Sequence, residues 1–374
     1  NPFYLVEIVR GLVESGVLLR EENGWKCTTE TRTLDVPPTI QGLLLSRLDR
    51  LPPGARRLIQ EAAVLGPAFE RRLLSQVSAR PDASEPHLEL LQEAELLEEI
   101  PGSGGERYRF THALVQEVVY ENLLFRGRTE LHERAGQALE ALCGAAPKRL
   151  EDLEALGHHW SLSLDKRKGA RYLTAAGDWA RGIYANEDAV RHYQRALKAL
   201  EECESCEEDQ LAVRERLGDL LGPMGRREAA LEQFEAVRQA YEVAGDRPAQ
   251  ARIYRKIGGL YWDAGDRERA LACYQAGLAL LDGQVAQIEL AQLYQEMGRL
   301  AFRSGENQRA VEWAQRSLTH AERLAPDSAG SLTGGDPETQ KEAAAAISHA
   351  YNTVGIALAR MGKPDEAVTY IERS

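Results

Sequence analysis

The sequence predicts a mainly α-helical protein in two parts: a small helical domain closed by a β-hairpin, then a long solenoid of stacked helical pairs. Three observations predict it. A glycine recurs at Gly177, Gly218, Gly258, Gly298 and Gly355, the first four 41, 40 and 40 residues apart. Twelve residues after each stands an alanine (Ala189, Ala230, Ala270, Ala310, Ala367), and about sixteen after it a bulky residue: Tyr193, Phe234, Tyr274, Ile371, and Trp313 one place early. Ahead of this array, two β-prone runs flank a glycine-rich turn at Gly102 to Gly105.

Glycine inside a helix costs about 1 kcal/mol against alanine, so five repetitions need a packing reason. Two helices crossing closely at a Gly and an Ala supply one. Around each glycine the apolar residues fall on one helical stripe, as in Tyr254, Ile257, Gly258 and Tyr261. A second set, Gly225, Gly265, Gly305 and Gly362, each followed by a polar residue, predicts left-handed caps between paired helices. A period near 40 marks units that cannot bury their apolar faces alone and must stack.

Composition bounds the rest. The chain of 374 residues exceeds one ordinary core, and its 43% hydrophobic and 28% charged content describes a soluble globular protein without a membrane-spanning run. A formal charge of −12 argues against general affinity for nucleic acid or acidic membranes. Five scattered cysteines point to a reducing, cytoplasmic setting. With no initiator methionine, and a last repeat that stops at Ser374, the sequence reads as an internal piece of a larger protein.

In chain order, Pro2 starts a helix carrying Leu5, Ile8, Val9, Leu12 and Val13, followed by two short strands around Gly24-Trp25. Val36-Pro37-Pro38-Thr39 is a boundary. Stripes at Ile40 to Leu48, Leu58 to Leu65, Leu73 to Val77 and Leu88 to Leu97 predict helices, and Leu97 to Ile100 pairs with Tyr108 to Thr111 as the hairpin. Helices closed by such a hairpin suggest a winged helix, and a helix from His112 to Leu124 follows. The expected domains are residues 1–35, 36–128 (the winged helix), 129–167 (connecting helices) and 168–374 (the array, about five units). Residues 326–341, rich in Pro, Gly, Ser and Asp, read as a mobile loop between units.

Gly258, Tyr261, Gly265, Ala270 and Tyr274 give this array its resemblance to the tetratricopeptide repeat family. It departs in lacking the proline near each unit's end and in its period, about 40 against about 34, which predicts longer helices. A second resemblance spans nearly the whole chain. Asn-Pro-Phe-Tyr-Leu at 1–5, Leu-Ser-Arg-Leu-Asp-Arg-Leu-Pro at 45–52, Ala-Ala-Val-Leu-Gly at 62–66 and Tyr-Arg-Phe-Thr-His-Ala-Leu-Val-Gln-Glu-Val-Val-Tyr at 108–120 resemble the AAA-type signalling ATPases called STAND proteins. The bacterial type implied places an ATPase before a tetratricopeptide array, sometimes with a nucleotide cyclase or a DNA-binding end.

That resemblance implies two nucleotide contacts. Pro2 matches the proline of a Gly-x-Pro motif against adenine, and His112 matches the winged-helix histidine that touches the ADP β-phosphate. Their plain structural readings are a helix start for Pro2 and a packed helix N-terminus for His112. No Gly-x-x-x-x-Gly-Lys-Ser/Thr occurs, so this piece is not expected to hydrolyse ATP. ATP or ADP with Mg is implied for the parent protein, whose missing ATPase domain is one expected partner. The other is a protein or small-molecule inducer on the array. In tetratricopeptide register, Arg252, Arg255, Trp262, Arg299 and Phe302 face its concave side, as a contact surface or as rim charges with partly buried aromatics.

Other constellations read as structural. Cys203 and Cys206 have metal-ligand spacing, but six acids crowd them and no histidine is near in sequence, so a solvated loop is expected. His158 and His159 point to different faces of one helix, which argues against a shared metal. Two rival classes stand beside the signalling arm: a DNA-binding regulator and a stand-alone scaffold. Between residues 36 and 125, nine arginines and no lysine face thirteen acids, a balance of −4, against duplex binding, which draws on phosphate neutralisation.

Overall fold

The computed structural model describes Val9, Val13 and residues 18–21, 24–27, 40–78, 84–144, 146–282, 288–324 and 337–374. These form seventeen helices and five short strands. They divide into two compact units: Asn1–Ile183 with Lys198–Cys206, and Tyr184–Leu197 with Glu207–Ser374.

In the first unit, β1 (Leu18–Glu21) and β2 (Gly24–Cys27) form an antiparallel pair. Helix α1 (Ile40–Arg50) is followed by α2 (Pro53–Leu65), which starts at a proline whose missing N–H costs nothing in the first turn. Then come β3 (Ala68–Glu70), α3 (Arg71–Val77), α4 (Ser84–Glu93), β4 (Leu97–Glu99) and β5 (Arg107–Phe110). The sheet runs β3-β5-β4, all antiparallel, with Phe69 opposite Tyr108 and Leu97 opposite Phe110. The expected hairpin is present, and its turn holds Gly102, Gly104 and Gly105 at positive φ. The third strand, β3, was not expected. Three residues are too few to show alternation, and it is fixed by partners distant in sequence: Phe69 lies against Tyr108 and Phe110 with ring centroids 6.3 and 6.2 Å away. Leu58, Ile59, Leu74 and Leu91 complete the core beneath.

Helix α5 (Ala113–Glu121) leads into α6 (Phe125–Cys143), α7 (Leu150–Leu162) and α8 (Lys166–Gly182). These pack at small residues. A Cβ on Gly157 would stand 2.8 Å from the Leu173 side chain, and one on Gly169 2.3 Å from the Ser161 nitrogen. Gly157, Gly169 and Leu173 keep the same intervals of twelve and sixteen as the later repeats, starting at a glycine in the stretch 129–167 expected as connecting helices and ending inside the expected array. Helix α9 (Asn186–Glu201) follows in the chain, its residues up to Leu197 counted in the second unit and the rest in the first.

The second unit stacks α10 (Glu207–Leu221), α11 (Arg227–Ala244), α12 (Arg247–Asp263), α13 (Arg267–Leu280), α14 (Ile288–Arg303), α15 (Asn307–Glu322), α16 (Pro337–Arg360) and α17 (Pro364–Ile371). They pair as α10/α11, α12/α13, α14/α15 and α16/α17, a tetratricopeptide-like solenoid. The glycine crossings recur: a Cβ on Gly218 would stand 2.6 Å from Phe234, on Gly258 2.4 Å from Tyr274, and on Gly355 2.5 Å from Ile371. Every expected turn glycine is left-handed: Gly225, Gly265, Gly305 and Gly362 at φ 76, 81, 83 and 79°. Each closes its helix with the same pair of bonds, such as Asp266 N–H to the Tyr261 carbonyl at 2.9 Å and Gly265 N–H to that of Trp262 at 2.9 Å. Asp246 and Asp266 cap α12 and α13 by accepting from Ala249 and Arg269 N–H.

One expectation is corrected. Within the stretch read as a loop at 326–341, residues 337–341 are the first turn of α16, where Pro337 suits a helix start ahead of an alanine run. Residues 326–336 lie outside the described residues.

Candidate functional site

Within the second unit, the first helices of successive pairs, α10, α12, α14 and α16, present charged residues to one another. Glu215 on α10 takes two bonds from Arg252 on α12, Nε to Oε1 at 2.9 Å and a guanidinium nitrogen to Oε2 at 3.1 Å. Lys256 sits one turn further along α12 and reaches Glu215 at 2.9 Å and Asp219 at 2.6 Å. On its other side Arg252 approaches Glu289 on α14 at 4.0 Å, and Arg255 approaches the same carboxylate at 3.8 Å. Gln292 then donates to Glu342 on α16 at 3.2 Å. An acidic, basic, acidic alternation thus ties neighbouring first helices together.

The two acids flanking Arg252 differ. Burial pushes both carboxyls up. At Glu215 the hydrogen bonds and charges of Arg252 and Lys256 outweigh burial and hold the carboxyl below its ordinary value. At Glu289, 7% exposed, the longer contacts to Arg255 and Arg252 do not, and Glu342 and Glu215 add repulsion, so its carboxyl is raised. Glu289 Oε2 and Arg255 Nε, although near each other, make no hydrogen bond.

The residues expected to face a partner are therefore in three situations. Arg252 and Arg255 are partly buried and engaged within the ladder. Trp262, at the far end of α12, lies beneath the guanidinium of Arg303 at 5.3 Å and that of Arg267 at 6.0 Å, and Phe302 beneath that of Arg360 at 4.0 Å. Arg299 is exposed and pairs with Glu296 at 3.0 Å. Sequence reasoning missed Glu215, Asp219, Lys256 and Glu289. Glu215, Arg252 and Glu289 are each 37 residues apart, so alternating charge at an interval slightly under the period was the signal.

The nucleotide residues implied by resemblance lie elsewhere. Pro2 is outside the described residues. His112 is the exposed N-cap of α5, in extended conformation directly after β5. The reading of Cys203 and Cys206 as a plain solvated loop is corrected: the two sulfurs are bonded to each other and Cys206 is buried. The acids that crowd this loop in sequence hid a residue with an inward-facing side chain. Cys143 and Cys273 are the free cysteines among the described residues.

No curated protein matches this chain. Some solved structures are similar to it at low identity. BtubC (BKLC) from P. vanneervenii is 17% identical, covering 67% of this chain and 90% of its own, with a TM-score of 0.43. A Podosopora anserina protein titled as a putative kinesin light chain with nearly identical TPR-like repeats is 15% identical, covering 56% and 92%, with a TM-score of 0.41. The apo form of RapI is 14% identical, covering 68% and 91%, at 0.39. None of the described helices is long and apolar enough to cross a membrane. Residues 209–282, which hold the Gly218 and Gly258 crossings and most of the ion ladder, match the profile of the tetratricopeptide repeat family.

Proposed function

We propose that this chain is the regulatory and partner-binding arm of a cytoplasmic signalling ATPase of the STAND type. In this reading residues 36–128 are a winged helix that closes on a nucleotide-binding domain of the parent protein, which holds ADP or ATP with Mg. The repeat array takes up a protein or small-molecule inducer, which shifts the balance toward nucleotide release only through different affinity for the two states. The observation that carries the reading is the element order helix, strand, helix, helix, strand, strand from α2 to β5, ending at an exposed histidine. In this reading His112, exposed at the start of α5, donates to a phosphate held by the nucleotide-binding domain.

The test uses the full-length parent protein. His112→Ala is expected to weaken retention of ADP through purification and to raise basal output, with the array's helical signal unchanged. Nucleotide content equal to wild type rejects the gating role.

The DNA-binding alternative is disfavoured by the helix that precedes the hairpin. In a winged helix this is the groove-reading element, and here α4 carries Glu85, Glu89 and Glu93 and no lysine or arginine. A salt-dependent gel shift with duplex DNA would restore that alternative.

A further inference from the structure

Three imidazoles that neither the repeat array nor the gating reading uses meet in the first unit. His132 comes from the middle of α6, and His158 and His159 are neighbours on α7. On their own helix the latter two differ in burial, His158 exposed and His159 buried, yet their rings are neighbours. What spacing did not reveal is that α6 lays a third imidazole against both. The His132 ring centroid lies 5.6 Å from that of His158 and 5.2 Å from that of His159, which are 5.2 Å from each other. One ligand atom from each of the three falls within 4.8 Å of the others.

The contacts around these rings are ordered as a ligand set would need. Nδ1 of His132 and Nδ1 of His159 are 3.0 Å apart, a hydrogen bond across one proton. Two nitrogens bound to a tetrahedral zinc at about 2.0–2.1 Å stand about 3.3–3.4 Å apart, so the pair has to open by a few tenths of an ångström and re-aim its lone pairs for an ion to take the proton's place, the proton passing to Nε2 of His159 so that both rings bind as neutral imidazoles. The other nitrogen of His132, Nε2, lies 2.9 Å from the hydroxyl of Tyr120 on α5. When Nε2–H donates to that oxygen, the Nδ1 lone pair is turned toward His159, which is how outer partners fix the tautomer of metal-binding histidines. The Arg128 guanidinium covers the Tyr120 ring at 4.4 Å and holds it in place.

We propose that His132, His158 and His159 form a three-imidazole site for a divalent transition-metal ion of the zinc class. His132 and His159 are enclosed, at 0 and 4% exposure, while His158 is exposed. The exposed ring gives the ion a way in and leaves a fourth position for water. Imidazole nitrogen favours zinc, copper and nickel over magnesium and calcium, which take oxygen. Arg128 and Lys166 lie close enough to His132 to be felt electrostatically, which works against a divalent ion, so the site is expected to exchange its metal and to be emptied by a chelator.

The experiment takes the chain of 374 residues, strips it with chelator, and titrates it with zinc chloride by calorimetry and with cobalt(II) by visible absorption. The expected result is one ion per chain, a tetrahedral cobalt spectrum, and no heat with magnesium. His158→Ala, an exposed position whose loss leaves the fold intact, is expected to lower zinc affinity at least tenfold. Tyr120→Phe should weaken it by about 10- to 100-fold with the far-UV signal unchanged. The double variant Cys203→Ser, Cys206→Ser should bind as wild type, which separates the imidazoles from the thiols. Absence of zinc heat and of a cobalt spectrum overturns the proposal. A His158→Ala protein that binds like wild type, or loss of binding in the cysteine variant alone, overturns it equally.

Discussion

Gly258 and Gly298 hold the same place in successive helical pairs, yet their surroundings differ. At Gly258 the buried ring of Tyr274 lies directly over the backbone, leaving no room for a Cβ. At Gly298 the nearest atoms to a Cβ are the Ala310 carbonyl oxygen at 3.4 Å, the Ala314 nitrogen at 3.5 Å and Trp313 Cβ at 3.6 Å, ordinary contact distances. The cause is one residue of spacing. Tyr274 follows its glycine by sixteen and returns over it, whereas Trp313 follows by fifteen, is turned about 100° around the helix, and stacks on Tyr294 at 5.6 Å instead. A repeat thus specifies a crossing through the pair of positions, and the glycine by itself does not.

The largest expected effect tests the tight member. Gly258→Ala forces Cβ to 2.4 Å from a ring that is 1% exposed. Although alanine is the better helix former, overpacking should win and cost about 3 kcal/mol, the upper end of its usual range. Urea denaturation of the chain measures it, and a neutral or stabilising result would show that Tyr274 swings aside at little cost.

The comparison extends to the charges beside these crossings. Glu215, held below its ordinary carboxyl value, contributes stability that is present at neutral pH and lost as pH falls below the ordinary 4.5. Glu289 is raised, so the folded state binds its proton more tightly than the unfolded chain. Its contribution is therefore favourable at low pH and is lost as pH rises from 4.5 through the folded value. Glu215→Gln should cost about 1 to 2 kcal/mol at pH 7, in the lower range for hydrogen bonds to charged groups because Arg252 is partly exposed and can repartner. Glu289→Gln should be neutral or stabilising at pH 7, with any gain fading toward pH 4.5. Denaturation at several pH values checks both, and equal losses from the two variants would show that Glu289 is as well paired as Glu215.

What the sequence discloses follows from how each contact is built. The array was legible because its contacts recur: a glycine, an alanine and a ring at fixed intervals announce each crossing, and Gly225, Gly265, Gly305 and Gly362 announce the turns. The same intervals at Gly157, Gly169 and Leu173 were passed over because α8 also carries Gly177, which draws attention to the next unit. The first unit was legible in its hairpin and opaque in β3, whose three residues are held by strand partners some forty residues away. The inward side chain of Cys206 was opaque for the same reason, and so was the meeting of His132 with His158 and His159, since local spacing cannot reveal which helix lies opposite. At the ion ladder, Arg252 and Arg255 stand out in the sequence, but their acidic partners come from neighbouring pairs at an offset that only stacking fixes.

The smallest expected effect tests the loose member. Gly298→Ala adds a Cβ into space bounded at 3.4 to 3.6 Å, with no ring above it, on a helix interior without special backbone geometry. The packing term is near zero, and what remains is the backbone entropy that alanine does not lose, up to about 1 kcal/mol in favour of the variant. Gly298→Ala should therefore raise the denaturation midpoint slightly, the opposite sign to Gly258→Ala. Restoring the sixteen-residue interval by exchanging Trp313 and Ala314 (Trp313→Ala with Ala314→Trp) should bring an indole over Gly298, displace it from Tyr294, and make the glycine essential there. In that background Gly298→Ala should turn destabilising. If it stays favourable, the interval is not what sets the crossing.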